Sequence, residues 1–127
     1  MLGITKYCTT TVSLQYLFAA IPFSPTKPLA TKILPHSITV EWQRSGGPSV
    51  ISYKLDYRKK GSVVWFEINI RGRMSYTVDK LQPYETYQFR VFALNDLGSS
   101  KTSPVAQYTT SEKGICIYLQ AFFPQPN

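Results

Sequence analysis

The stretch at residues 81–91, LQPYETYQFRV, is the feature that most limits how this chain can fold. Its last part alternates, with Tyr87, Phe89 and Val91 on one face and polar residues between them. A period of two is typical of a β-strand with one buried face. Just upstream, Pro83 cannot donate a backbone hydrogen bond, so it predicts a sharp turn into this strand.

A tyrosine shortly after such a turn can fold its ring over the corner, and its hydroxyl can bond a backbone group upstream. This arrangement, the tyrosine corner, occurs in immunoglobulin-like sandwiches. Leu81, Pro83, Thr86 and Tyr87 resemble the form of the corner that is typical of fibronectin type III domains.

Two further motifs carry the same resemblance. Residues 37–43, SITVEWQ, alternate and place Trp42 on the apolar face, where an indole can fill the gap between two sheets about 10 Å apart. Residues 50–60, VISYKLDYRKK, follow a Gly/Pro loop and place Tyr53, Leu55 and Tyr57 on one face. Lys54, Asp56 and Arg58 lie on the opposite, outer face, where Asp56 and Glu67 are expected to neutralise part of the positive charge.

The resemblance covers about residues 25–112 and implies an all-β fold, a seven-stranded immunoglobulin-like β-sandwich with a three-stranded sheet on a four-stranded sheet. Nine Pro and seven Gly supply the turns between short strands. The strands are predicted at residues 29–34, 37–43, 50–60, 63–70, 75–80, 85–94 and 101–110, the last marked as an edge or bulged strand by Pro104. The predicted core comprises Trp42, Tyr53, Leu55, Leu81, Tyr87, Phe89 and Val91.

Two flanks surround the predicted domain. Residues 1–24 are interpreted as a linker or as a weak signal-like segment, and residues 113–127 as an apolar tail after the last strand that the fold requires. Both cysteines, Cys8 and Cys116, lie in these flanks. Free or intermolecular thiols are favoured over a bond between them, because the first and last strands of such a sandwich end at opposite poles. We expect the natural protein to be longer.

The sequence offers little for catalysis, metal binding or cofactor binding. The single histidine, His36, has no ligand partner at metal-site spacing, and its predicted turn makes it a surface residue. The seven carboxylates are scattered, and the glycine-rich loop at residues 45–48 lies between strands. No apolar run in this sequence reaches the length of a membrane span. Membrane anchoring of the parent protein stays open. We therefore predict no enzyme, no cofactor and no metal.

One candidate binding surface is basic. The chain carries a formal net charge of +7, which favours acidic partners. The candidate residues on the third strand, its turn and the corner strand are Lys54, Arg58, Lys59, Lys60 and Arg90. Such a patch suits a sulfated glycosaminoglycan or an acidic protein, while the alternative is a solvated sheet face that keeps the domain soluble. Because the positive residues are spread along the chain, no nucleic-acid partner is expected.

A second candidate surface is the pair of loops at residues 44–49 and 95–99, which should meet at one pole. Asn95 and Asp96 are its candidate binding residues, since loops on a rigid scaffold often carry recognition. The alternative is that Gly and Asn serve turn geometry alone. Phe92 is expected to face outward, where it can support a protein contact.

The resemblance implies a non-catalytic module for protein–protein interaction and spacing. We expect it in the extracellular region of an adhesion or receptor protein, such as a receptor tyrosine kinase or phosphatase, with protein partners at the cell surface. Two alternatives stay open: a cytoplasmic structural module of a muscle-type or cytoskeletal protein, and a heparin-binding matrix module.

Overall fold

The computed structural model describes residues 20–113 and 117–118, and every regular element in that part of the chain is a β-strand. The strands are β1 Leu29–Ile33, β2 Ile38–Glu41, β3 Ser52–Lys59, β4 Phe66–Ile70, β5 Ser75–Val78, β6 Thr86–Asn95, β7 Gly98–Ser99, β8 Ala106–Thr109 and β9 Ile117–Tyr118. One sheet has the order β5-β2-β1-β9. The other has the order β4-β3-β6-β7, with β8 also paired to β6.

This architecture confirms the predicted immunoglobulin-like sandwich, but the strand count differs in two places. Of the last predicted strand, residues 101–110, only β8 is regular, and the loop predicted at residues 95–99 contains the short strand β7; both pair with β6. In addition, β9 pairs with β1 through Lys32↔Tyr118 and Ile33↔Ile117. The sheets therefore contain four and five strands instead of three and four: β9, from the segment assigned to the tail, adds to the β1 edge, and β7 adds to the larger sheet.

The gap between β7 and β8, at residues 100–105, has a chemical cause. Pro104 has no N–H group for a ladder, and residues 100–105 leave the regular strand geometry. Two buried serine hydroxyls replace the missing pairing: Ser103 Oγ accepts from Val91 N at 2.9 Å, and Ser100 Oγ accepts from Ala93 N at 2.9 Å. The backbone donors of β6 thus stay satisfied although the neighbouring strand is interrupted.

The core lies between the two sheets and follows the period of two in the sequence. All seven predicted core residues are at most 7 % exposed. The Trp42 ring meets the Tyr53 ring edge to face, with 5.7 Å between centroids. Aromatic burial of this kind supplies a large share of the apolar area that holds two sheets together.

The tyrosine corner is formed. Tyr87 Oη accepts a hydrogen bond from the backbone N–H of Gln82 at 2.9 Å. Below the corner, Leu81 N donates to His36 O at 2.9 Å, and His36 Nδ1 lies 2.9 Å from Leu81 O. His36 is exposed as predicted for a turn, yet its ring also ties that turn to the corner.

The loops gather at two opposite poles, which we name by the end of the described segment 20–113 found there. The amino pole contains residues 20–24 and the loops at residues 42–51, 71–74 and 96–97. The carboxyl pole contains the loops at residues 34–37, 60–65 and 79–85 together with residues 110–113. Tyr84 N donates to Ser111 O at 3.2 Å, which fixes the end of β8 at the carboxyl pole. Cys8 and Cys116 lie outside the described residues.

Candidate interaction surfaces

The outer face of the larger sheet holds the predicted basic residues in cross-strand rows. Lys54 lies opposite Phe92, and Asp56 lies opposite Arg90. Arg90 Nε donates to Asp56 Oδ2 at 3.0 Å. Lys54 Nζ lies 3.9 Å from Asp56 Oδ1 and 3.2 Å from Glu67 Oε2. Two of the predicted cations therefore have carboxylates beside them.

Asp56 lies on the outer face and pairs with a cation of the patch, as expected, but its side chain is fully buried and not exposed to solvent. Strand alternation does direct Asp56 to the outer face, but Arg90 covers it there. A buried carboxylate is costly unless it is paired, and Arg90 supplies that pairing. The strand period shows which face a residue lies on; it does not show what covers that face.

Trp65, which the sequence reasoning did not select, organises this face. Its ring lies 4.2 Å from the Arg58 guanidinium carbon and 4.1 Å from that of Arg90. Arg58 Nε also donates to Gln88 Oε1 at 2.8 Å. A guanidinium over an indole face is an attractive cation–π contact. The sequence could have indicated this position, because Trp65 and Glu67 are two residues apart and alternation therefore directs both to the solvent face.

Phe92 lies on this outer face as expected. The Lys54 ammonium nitrogen is 4.4 Å from the centre of its ring, and the Arg90 guanidinium carbon is 5.2 Å away. The ring is half-buried by these contacts, so it offers a partner less apolar area than a free phenylalanine would.

The remaining two predicted cations lie toward the carboxyl pole. Lys59 Nζ is 3.5 Å from Glu85 Oε1, whereas Lys60 is exposed and makes no ion pair within the described residues. The five cations of the set are thus accompanied by three carboxylates, Asp56, Glu67 and Glu85, which leaves a local charge of five minus three, or +2. These contacts favour a self-contained polar layer over an open anion-binding face.

At the amino pole, Asn95 joins three segments. Its Oδ1 accepts from Leu97 N at 2.9 Å, while its Nδ2 donates to Ala20 O at 2.9 Å and to Ser49 O at 3.2 Å. The two predicted loops do meet here, and the Asn95 side chain is used to hold them together. Asp96 is exposed beside it.

The segment before β1 packs on the same pole. A Cβ atom added to Gly47, where φ is +81°, would lie 2.6 Å from the Phe23 ring. A Cβ atom added to Gly98 would lie 3.2 Å from Ile21 Cγ2. The two glycines therefore allow residues 21 and 23, which belong to the predicted flank, to approach the loops closely.

An open cavity of about 470 Å³ lies at the amino pole between the loops at residues 44–51 and 71–74. Its nine lining residues are Arg44, Gly47, Ser49, Val50, Ile51, Tyr53, Gly72, Arg73 and Met74. Ile51 is 44 % exposed and Met74 is 38 % exposed, so both offer apolar surface to solvent. The sequence reasoning did not find this cavity, because it joins two loops that are distant in the chain.

Electrostatics at the cavity are set by arginines. Arg44 Nη2 donates to Gly47 O at 2.6 Å and to Pro48 O at 2.8 Å, which holds the loop around it. Burial raises the pKa of the Tyr53 hydroxyl, and the positive charge of Arg44 offsets part of this rise. The hydroxyl is therefore a protonated hydrogen-bond donor at neutral pH.

Across residues 20–113 no group of three or more His, Cys, Asp or Glu side chains is arranged to hold a metal ion. The same part of the chain contains no helix of the length and apolar character needed to cross a membrane.

The fold and these surfaces define an immunoglobulin-like module. The sequence profile described as "Fibronectin type III domain" matches residues 23–109. The chain belongs to this family.

Named relatives place similar modules in long proteins. Receptor-type tyrosine-protein phosphatase F of Danio rerio is 34 % identical over 101 residues, which are 78 % of this chain and 5 % of the relative. Cardiac-type myosin-binding protein C of Mus musculus is 30 % identical over 101 residues, which are 76 % of this chain and 8 % of the relative. The chain thus spans under a tenth of the length of these relatives.

A solved structure agrees with the fold. The solution structure of the fibronectin type III domain of human fibronectin type III domain containing protein 3 matches with a TM-score of 0.67 and 30 % identity. The match covers 75 % of this chain and 91 % of that structure.

Proposed function

We propose that this domain is a non-catalytic module that spaces its neighbours and contacts protein partners within a longer multidomain protein. The observation that carries the proposal is the separation of the two ends of the described segment at residues 20–113. Residue Ala20 is bound at the amino pole by Asn95, whereas Ser111 is bound at the carboxyl pole by Tyr84. A module whose chain enters at one pole and leaves at the other adds length when it is placed in series.

The strands set how much length is added. β3 has eight residues and β6 has ten, and both run between the poles. At 3.2–3.4 Å per residue, the module spaces its neighbours by roughly 30 Å. The short β9 pairs with the carboxyl-pole end of β1, which keeps residues 117–118 near that pole.

The spacing is measurable by electron–electron double resonance on the full chain with Cys8→Ser and Cys116→Ser. Spin labels at Ser24→Cys and Lys113→Cys report the distance between the poles. Labels at Ser24→Cys and Asp96→Cys form the matched control, because both positions lie at the amino pole. We expect a distribution centred near 30 Å or above for the first pair and a clearly shorter one for the second. Equal short distances for both pairs would contradict the spacer role.

For location, we propose the extracellular region of a receptor or adhesion protein. The receptor-type relative supports this, and the relative named for myosin binding supports the cytoplasmic alternative. A non-permeant amine reagent applied to intact cells that express the parent protein separates the two. Labelling of this domain before permeabilisation is the expected result; labelling only after permeabilisation would favour the cytoplasmic alternative.

A further inference from the structure

The arginines of the amino-pole cavity differ from the cations of the outer sheet face in whether they have carboxylate partners. On the sheet face, Arg90 and Lys54 have carboxylates at 3.0 Å and 3.2 Å. Of the nine described residues that line the cavity, two are arginines and none is acidic. Neither Arg44 nor Arg73 has an ion-pair partner within residues 20–113. The positive charge of the cavity is therefore available to a ligand.

The donors around the cavity suit a planar anion. The guanidinium of Arg44 uses Nη2 for the loop carbonyls of Gly47 and Pro48, and its Nε and Nη1 hydrogens have no partner among the described residues. Arg73 lines the cavity from the loop at residues 71–74, and Tyr53 also belongs to the lining. Arginine is well suited to bind carboxylates because its donors match the spacing of the two oxygens.

The remaining wall is apolar. Val50, Ile51 and Met74 line it, and the last two are well exposed. A ligand that filled this wall would bury apolar area as well as form charged hydrogen bonds. A sulfated sugar has the anion but lacks the apolar group, while a protein segment can provide both.

We propose that the cavity between the loops at residues 44–51 and 71–74 docks an acidic segment of a partner protein, with a carboxylate between Arg44 and Arg73 and a neighbouring aliphatic side chain against Ile51 and Met74. This inference rests on the proposed protein-binding role and gives it a site and a ligand chemistry.

The test is a nuclear magnetic resonance titration of the ¹⁵N-labelled chain with a blocked glutamate–leucine dipeptide. Two ligands serve as comparisons: the glutamine–leucine twin, which lacks only the charge, and a sulfated disaccharide of the heparin type. Concentrations up to about 10 mM are appropriate, since so small a ligand binds in the millimolar range. We expect saturable shifts at Gly47, Ile51 and Gly72, with the glutamate–leucine dipeptide binding most tightly of the three.

Two variants of one turn give a matched pair. Arg73→Ala removes a cavity arginine and should weaken binding of the acidic dipeptide about fivefold. Arg71→Ala removes another arginine side chain of the same turn, one that is outside the cavity lining, and should change binding less than twofold. Both arginines are exposed, so both variants should stay folded, as the spectrum of the free protein will show.

The proposal fails if no saturable shift appears, if either comparison ligand binds as tightly as the acidic dipeptide, or if the two arginine variants weaken binding equally. Any of these results leaves the distance between the poles unchanged, so the spacer role is judged by its own experiment.

Discussion

The hydroxyl of Tyr87 gives a test at the level of one atom. It accepts a hydrogen bond from Gln82 N, and the Tyr87 side chain is only 6 % exposed. Tyr87→Phe keeps the ring and removes the acceptor, so the free energy of unfolding should fall by about 1–2 kcal/mol. Equilibrium unfolding in urea measures this change. Tyr84→Phe, at a tyrosine that is 72 % exposed, is the control and should change stability by less than about 0.5 kcal/mol. Equal losses in the two variants would contradict a specific role for the corner.

Single residues also show where sequence reasoning reaches its limit. The buried state of Trp42, Tyr53 and Phe89 follows from alternation, which depends only on near neighbours in the chain. The burial of Asp56 depends on Arg90, which lies 34 residues away, and on the geometry of a neighbouring strand. Contacts across strands are set by register and side-chain conformation, which a local period does not contain.

The loop that supports the segment before β1 gives a prediction at the level of elements. Gly46 and Gly47 both have φ near +85°, at +89° and +81°, so alanine at either position costs about 1–2 kcal/mol of backbone strain. Only at position 47 would the new Cβ atom also collide with the Phe23 ring. Because that ring is 55 % exposed and can move aside, Gly47→Ala should cost about 1 kcal/mol more than Gly46→Ala.

Urea unfolding of the two variants gives this difference directly. Hydrogen exchange of the Thr26 amide, which donates to Gln43 O at 3.0 Å, gives a second readout; the exchange rate should increase in Gly47→Ala and stay near that of the unaltered chain in Gly46→Ala. Identical stability and exchange in both variants would mean that Phe23 does not pack on this loop.

The strands themselves could be predicted because each is a short alternating run between turn residues. The bounds failed where packing, not composition, ends a strand. β4 begins at Phe66 and not at residue 63: Val63 is 86 % exposed and Val64 is 58 % exposed, although both are strong strand formers. The cavity could not be predicted at all, because its lining comes from two loops that are distant in the chain.

At the scale of the whole molecule, two tyrosines link stability to alkaline pH. Burial raises the pKa of Tyr53, against a smaller opposing effect of Arg44. Burial also raises the pKa of Tyr57, assisted by the negative charge of Asp79. The folded state therefore holds these protons more tightly than the unfolded state, in which the tyrosine pKa is 10.0. This contribution to stability is fully present below pH 10 and is lost as the pH rises through the folded values.

Urea midpoints measured between about pH 8 and about pH 11 should therefore fall on the alkaline side. Tyr57→Phe should flatten that fall, because phenylalanine has no proton to lose. A fall of the same steepness in Tyr57→Phe would show that other groups dominate the alkaline response.

The interrupted strand beside β6 has a consequence for how such modules avoid aggregation when several are joined in one long chain. An intact strand at a sheet edge offers a row of free N–H and C=O groups, which another polypeptide can extend into a growing aggregate. Here that edge consists of two residues in β7 and four in β8, with Pro104 between them. Neighbouring copies held at high local concentration would find only fragments of a template on this side, so the break protects a tandem array from strand-to-strand misassembly.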